Sequence, residues 1–221
     1  MDKQTSYSDT LRERVLSRLG LLVIYLVVFF SYLSRSPDTA TFIGMFPKSV
    51  SETDLLSTFD FTVFSFLEFG LLLSLGQPQS YLLEDNWLVY IRRRRGAERY
   101  IRYIGLVLLY ALLYSVPQLF IMWGLMPQTR SLGSLADFVC GLWMLIVLLL
   151  VADAIASAGN RIVGFLVSTV LAYAYSGLSD VQHLLLGHSL AHLPNWIPIL
   201  AISTVLILII NYQFYKRSEI L

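Results

Sequence analysis

The three histidines of this 221-residue chain fall close together, as His183, His188 and His192, with Asp180 just ahead of them. His188 and His192 are spaced i, i+4, and Asp180 and His183 are spaced i, i+3, so a helix would set each pair on one face. Imidazole and carboxylate groups paired in this way can bind zinc. A closed site takes a third and a fourth ligand at matched geometry, and the other reading of the cluster is a set of interfacial histidines at a wet boundary. The single cysteine, Cys140, excludes an intrachain disulfide and a cysteine-rich metal site. It stands in an apolar stretch, where a small buried residue is expected.

Other chemistries require patterns that the chain lacks. No G-x-x-x-x-G-K-[ST] loop is present to cradle phosphates, so ATP hydrolysis by that route is excluded. The zinc-protease pattern His-Glu-x-x-His is absent. A membrane serine hydrolase wants a glycine-flanked serine paired with histidine, and Tyr175-Ser176-Gly177 lacks the leading glycine. The chain is therefore expected not to be an enzyme, with the histidine cluster as the one feature that favours a membrane enzyme instead.

These residues must be positioned by elements that composition identifies. Apolar residues make up 56% of the chain and charged residues 14%, a balance suited to a bilayer. A hydrocarbon core of roughly 30 Å takes about 20 helical residues. Six apolar runs approach that length, at Leu16 to Leu33, Leu55 to Leu75, Tyr103 to Met126, Leu132 to Ala156, Ile162 to Leu178 and Ile197 to Tyr215. Strand-like alternation is absent, so the expected fold is all-α: one integral membrane domain over residues 1–221, with six transmembrane helices. The first run is long and is followed by Tyr32-Leu33-Ser34-Arg35 with no small-residue cleavage pattern, so it is expected to stay in the mature protein.

Basic residues near span ends stay on the cytoplasmic side. Placing the loops alternately collects Lys3, Arg12, Arg14, Arg18, Arg92, Arg93, Arg94, Arg95, Arg99, Arg102, Arg161, Lys216 and Arg217 on one face, and leaves Arg35, Lys48 and Arg130 on the other. Both termini are then expected to be cytoplasmic. Trp87, Trp123 and Trp196 lie near span ends, where an amphipathic ring suits the headgroup region.

Acidic residues inside apolar spans are costly and so worth naming. Asp60 and Glu68 fall in the second run, with Glu68 nearer its middle, where it is expected to face the bundle interior or a subunit interface. It serves there either as a structural hydrogen-bonding group or as part of a substrate or coupling path. Asp137 and Asp153 are near opposite ends of the fourth run, where water is expected to reach them. Pro117, with Tyr114 and Gln118 nearby, is expected to kink the third.

The stretch between the second and third runs is the richest in the chain. After Gln77-Pro78, the residues Glu84, Asp85 and Asn86 can start a helix, and Trp87, Leu88 and Ile91 form one apolar edge. Arg92 to Arg95 then end it, and Gly96 allows a turn. This pattern describes a short amphipathic helix on the inner surface. Its arginines can pair with anionic lipid or dock an acidic cytoplasmic partner. No stacking or groove geometry accompanies them, so nucleic acid is not an expected partner. On the other face, residues 179–198 are too short and too interrupted by Gly187, Pro194 and Pro198 to span, and read as short re-entrant helices or as a surface helix.

Six helices with both ends inside, a basic amphipathic helix between spans two and three, and broken helices between spans five and six resemble the permease subunits of type-2 ABC transporters. The likeness is greatest to the small stand-alone permeases of bacterial peptide and bacteriocin export or immunity. It covers nearly the whole chain and rests on topology and loop character. The resemblance implies a multi-pass protein of the bacterial plasma membrane that pairs with a separate cytoplasmic ABC ATPase and forms a dimer with itself or with a related permease. ATP and Mg would then reside on the partner, and this chain would carry no cofactor. It further implies that the ATPase-coupling element is the helix holding Glu84, Asp85, Trp87, Tyr90, Arg92, Arg93, Arg94 and Arg95; Asp60 and Glu68, as acidic residues inside a span, are by their own position the candidates for a pathway or interface. The cargo implied is amphipathic, such as a peptide. The alternatives are a non-transporting immunity or scaffold protein and an enzyme built on the outer histidines.

Overall fold

The computed structural model of the chain describes residues 18–28, 61–74, 97–125, 132–186 and 194–217. The chain divides into two compact units, residues 1–39 and residues 40–221. The described part of the first is one apolar helix, α1 (Arg18–Val28). The second holds α2 (Phe61–Ser74), α3 (Ala97–Leu125), α4 (Leu132–Ser157), α5 (Arg161–Gly177), α6 (Ser179–Leu186) and α7 (Trp196–Arg217). Among the described residues there is no strand, as expected where the backbone must satisfy its own hydrogen bonds.

Each of the six apolar runs contains a helix, and among the described residues three are long and apolar enough to cross a bilayer: Ala97–Gly124, Leu135–Ser157 and Trp196–Lys216. The shortest of the three has 21 residues, or about 31 Å at the rise of an α-helix. Helix α5, at 17 residues, is shorter. Helix α3 begins six residues ahead of the apolar run, at Ala97 and not at Tyr103. Its added first turns are polar, with Glu98 and Arg102 forming an exposed i, i+4 ion pair and Glu98 standing at the positive end of the helix dipole. The helix runs on through Pro117, one residue before Gln118, whose side-chain amide donates to the Tyr114 carbonyl at 2.8 Å.

Helix α4 is the hub of the second unit. Within its apolar window 61% is buried, against 28% in α3 and 11% in α7. It turns into α5 through Gly159, whose φ of 127° is open to glycine and strained for other residues. Asn160 then caps α5, its side-chain oxygen accepting from the amides of Ile162 at 3.0 Å and Val163 at 3.2 Å. Small residues let the two helices touch. A Cβ at Gly164 would lie 2.4 Å from the Ala152 carbonyl oxygen, so only glycine fits. Ser168, Ala172 and Ser176 continue the same buried stripe at four-residue spacing, and Ser168 donates to the Leu148 carbonyl at 3.0 Å. Close backbone approach of this kind holds helices together where lipid removes the hydrophobic drive to associate.

The other helices are tied down by polar side chains. Tyr110 and Tyr114, one turn apart on α3, donate to the carbonyls of Gly70 at 2.6 Å and Phe66 at 2.8 Å, also one turn apart on α2. Trp143 of α4 donates to Thr204 of α7 at 2.9 Å. Outward-facing side chains are apolar, including Leu113, Phe120, Val170 and Ile202. An aqueous surface would carry few such groups over such an area. Among the described residues, α6, eight residues that follow α5 after Leu178, represents the short helices expected between the last two runs.

Candidate functional site

Two polar places inside the second unit require explanation, because a bilayer offers no water to hydrogen-bonding groups. The first joins three helices at one end. Tyr103 comes from the start of α3, Asp153 from the end of α4 and Asn211 from near the end of α7. The Tyr103 hydroxyl donates to Asp153 Oδ2 at 2.7 Å and accepts from Asn211 Nδ2 at 3.2 Å. All three residues are buried. The Asn211 carbonyl oxygen is buried without a hydrogen-bond partner.

A tyrosine cluster closes over this junction. Tyr100 donates to the Leu208 carbonyl at 2.8 Å, and its ring lies 5.1 Å from that of Tyr212 and 5.9 Å from that of Tyr215. Lys216 sits 5.9 Å from the centre of the Tyr212 ring, within reach of its face. The junction brings the starts of α3 and α5 to the same end as the finishes of α4 and α7. Arg99, Arg102, Arg161 and Lys216 therefore share that end, and in sequence it follows directly on Arg92 to Arg95.

The second place lies at the seam of α2 and α5. Glu68 Oε1 accepts from the Thr169 hydroxyl at 3.1 Å, and Glu68 Oε2 is buried with no hydrogen-bond partner. Glu68 is eighth of the fourteen residues of α2, and Thr169 is ninth of the seventeen of α5. The carboxyl is thus held at mid-helix by both elements. One turn away, Phe64 of α2 meets Tyr173 of α5 edge to face, with ring centres 6.4 Å apart.

The residues singled out from sequence are placed unevenly. Glu68 faces a helix seam, as expected. Asp60 lies outside the described residues, and so does the whole expected coupling element with Glu84, Asp85, Trp87, Tyr90, Arg92, Arg93, Arg94 and Arg95. His188 and His192 also lie outside them, as does the side chain of His183, whose backbone belongs to α6; Asp180 is exposed in the first turn of that helix. Among the described residues no group of three histidine, cysteine or acidic side chains is arranged to hold a metal. Cys140 is buried, as expected, with its sulfur 3.6 Å from the Tyr175 hydroxyl.

One expectation is corrected. Asp153 was expected near a span end within reach of water, and it is 8% exposed. The reason is the start of α3, whose Tyr103 packs against the end of α4 and donates to the Asp153 carboxylate where water was expected. Sequence reasoning also missed Asn211, although an amide inside Ile209-Ile210-Asn211-Tyr212 is itself a signal in an apolar run. The spacing of Gly164, Ser168, Ala172 and Ser176 was a second readable signal. The chain matches no family model, no curated protein and no solved structure.

Proposed function

We propose that this chain is the membrane-spanning subunit of an ATP-driven exporter of the ABC type, crossing a bacterial plasma membrane six times with both termini inside. It pairs with a separate cytoplasmic ATPase and with a second permease chain, and it moves an amphipathic substrate such as a peptide. ATP and Mg stay on the ATPase. The observation that supports this reading best is the Tyr103–Asp153–Asn211 junction. It welds the start of α3 to the ends of α4 and α7 at the point where the chain emerges from residues 84–95.

The mechanical consequence is direct. An ATPase that closes on nucleotide and presses on residues 84–95 moves the start of α3 first. Because Tyr103 and Tyr100 are bonded to α4 and α7, the displacement passes to three helices as one body and not to α3 alone. Helix α2 follows through the Tyr110 and Tyr114 hydroxyls. Gathering Arg99, Arg102, Arg161 and Lys216 at this end also agrees with placing it inside.

Affinity purification of the tagged chain in mild detergent tests the reading. A stoichiometric nucleotide-hydrolysing subunit is expected to accompany it. A chain that purifies alone from cells expressing all its neighbours in the genome would instead favour a scaffold or immunity protein.

A further inference from the structure

The geometry points to Glu68, at the middle of α2, as a binding point for an ammonium group carried by an amphipathic cargo. The carboxyl has one neutral hydrogen bond, from Thr169, and a buried second oxygen with no donor. No basic side chain is within ion-pairing distance of it among the described residues. An ionised carboxylate in an apolar medium is costly unless a cation meets it, and one hydroxyl does not offset that cost. A positively charged donor at the second oxygen would offset that cost.

The surroundings narrow the class of that donor. A hard divalent ion takes six or more oxygen ligands, and a carboxyl with one hydroxyl falls far short. An ammonium group needs few acceptors and is also attracted to aromatic faces. Phe64 and Tyr173 supply such a wall one turn from the carboxyl, and Tyr173 is 54% exposed, so the wall opens outward from the seam. Apolar side chains around it, Leu166 and Val170 among them, face outward and suit the aliphatic part of the same molecule. Lysine side chains and amino termini of amphipathic peptides carry this combination of groups. The identity of the cargo rests on the transporter reading; the cation site does not.

The test uses the purified full-length chain in mild detergent and dicyclohexylcarbodiimide, an apolar reagent that adds to protonated carboxyls. Dodecylammonium is the probe, dodecanol is its neutral control, and mass spectrometry of the peptide containing Glu68 is the readout. Glu68 is expected to be labelled, and dodecylammonium is expected to lower the labelling about tenfold by holding the carboxylate ionised, whereas dodecanol leaves it unchanged. In parallel, Glu68→Gln, whose amide oxygen still accepts from Thr169, is expected to stay folded and to lose the dodecylammonium that native mass spectrometry counts on the wild type. Equal labelling with amine and alcohol, a carboxyl that the reagent does not reach, or undiminished amine binding by Glu68→Gln would each overturn the proposal. The chain for this assay is expressed alone in a heterologous host, so no partner ATPase is present. Protection without ATPase capture would thus leave the cation site standing while the transporter reading fails, and the reverse result would do the opposite.

Discussion

At the basic end of the second unit, a buried carboxylate is met by a tyrosine hydroxyl, which is met in turn by an asparagine amide. At the middle of the same unit, a second carboxylate is met by one threonine and keeps an oxygen buried and unpaired. Both are acidic groups in apolar helices, yet their surroundings assign them different work. Asp153 is linked through the Tyr103 hydroxyl to Asn211, so the relay of hydrogen bonds holds α3, α4 and α7 together. Glu68 spans only one seam and is incompletely satisfied, so its contribution to holding the helices is small and its capacity to accept another donor is large. One apolar unit thus carries both a well-satisfied polar junction between three helices and an incompletely satisfied carboxyl at a single seam.

The contrast can be broken at once by opening the packing on which both regions depend. Gly164→Leu places side-chain atoms where even a Cβ lies 2.4 Å from the Ala152 carbonyl. It is expected to prevent α4 and α5 from docking, which would be seen as loss of monodisperse protein on size-exclusion chromatography. A more local break is Tyr103→Phe, which leaves Asp153 without its donor and Asn211 Nδ2 without its acceptor. The expected cost is about 1–3 kcal/mol, read as a fall in thermal unfolding midpoint in detergent. Tyr114→Phe removes one hydroxyl from the clamp on α2 and frees only a carbonyl that is already inside a helix, so about 1 kcal/mol is expected. Smallest of all is Glu68→Gln, expected within about 0.5 kcal/mol of wild type because the amide preserves the Thr169 bond. A large loss of stability in Glu68→Gln together with none in Tyr103→Phe would invert the comparison.

Helix type and position were largely legible before any coordinates, because apolar runs of bilayer length allow few other structures. The limits of α4, α5 and α7 fall within two residues of the apolar runs. Helix α3 departed by six residues because its first turns are polar, and hydropathy reports the bilayer's needs and not where a helix starts. Asp153 was misread for another reason: its partner Tyr103 lies fifty residues away in sequence, and linear proximity to a span end carries no information about such a contact. Glu68 was legible as a residue facing a seam, since a mid-run glutamate has nowhere else to go, but its partner Thr169 lies 101 residues away and only the packing of α2 on α5 reveals it. Attention to acidic residues alone hid Asn211, whose amide brings α7 into the junction.

The most direct test of the proposed mechanism is capture of the ATPase by the tagged chain and by a variant in which Arg92 to Arg95 are all changed to glutamate, compared in mild detergent at physiological salt. If residues 84–95 form the docking element that drives the Tyr103 junction, the wild-type chain retains a stoichiometric ATPase and the charge-reversed chain, equally folded and equally abundant, loses it. Equal capture by both chains would reduce the four arginines to lipid anchors and remove the input on which the mechanism depends.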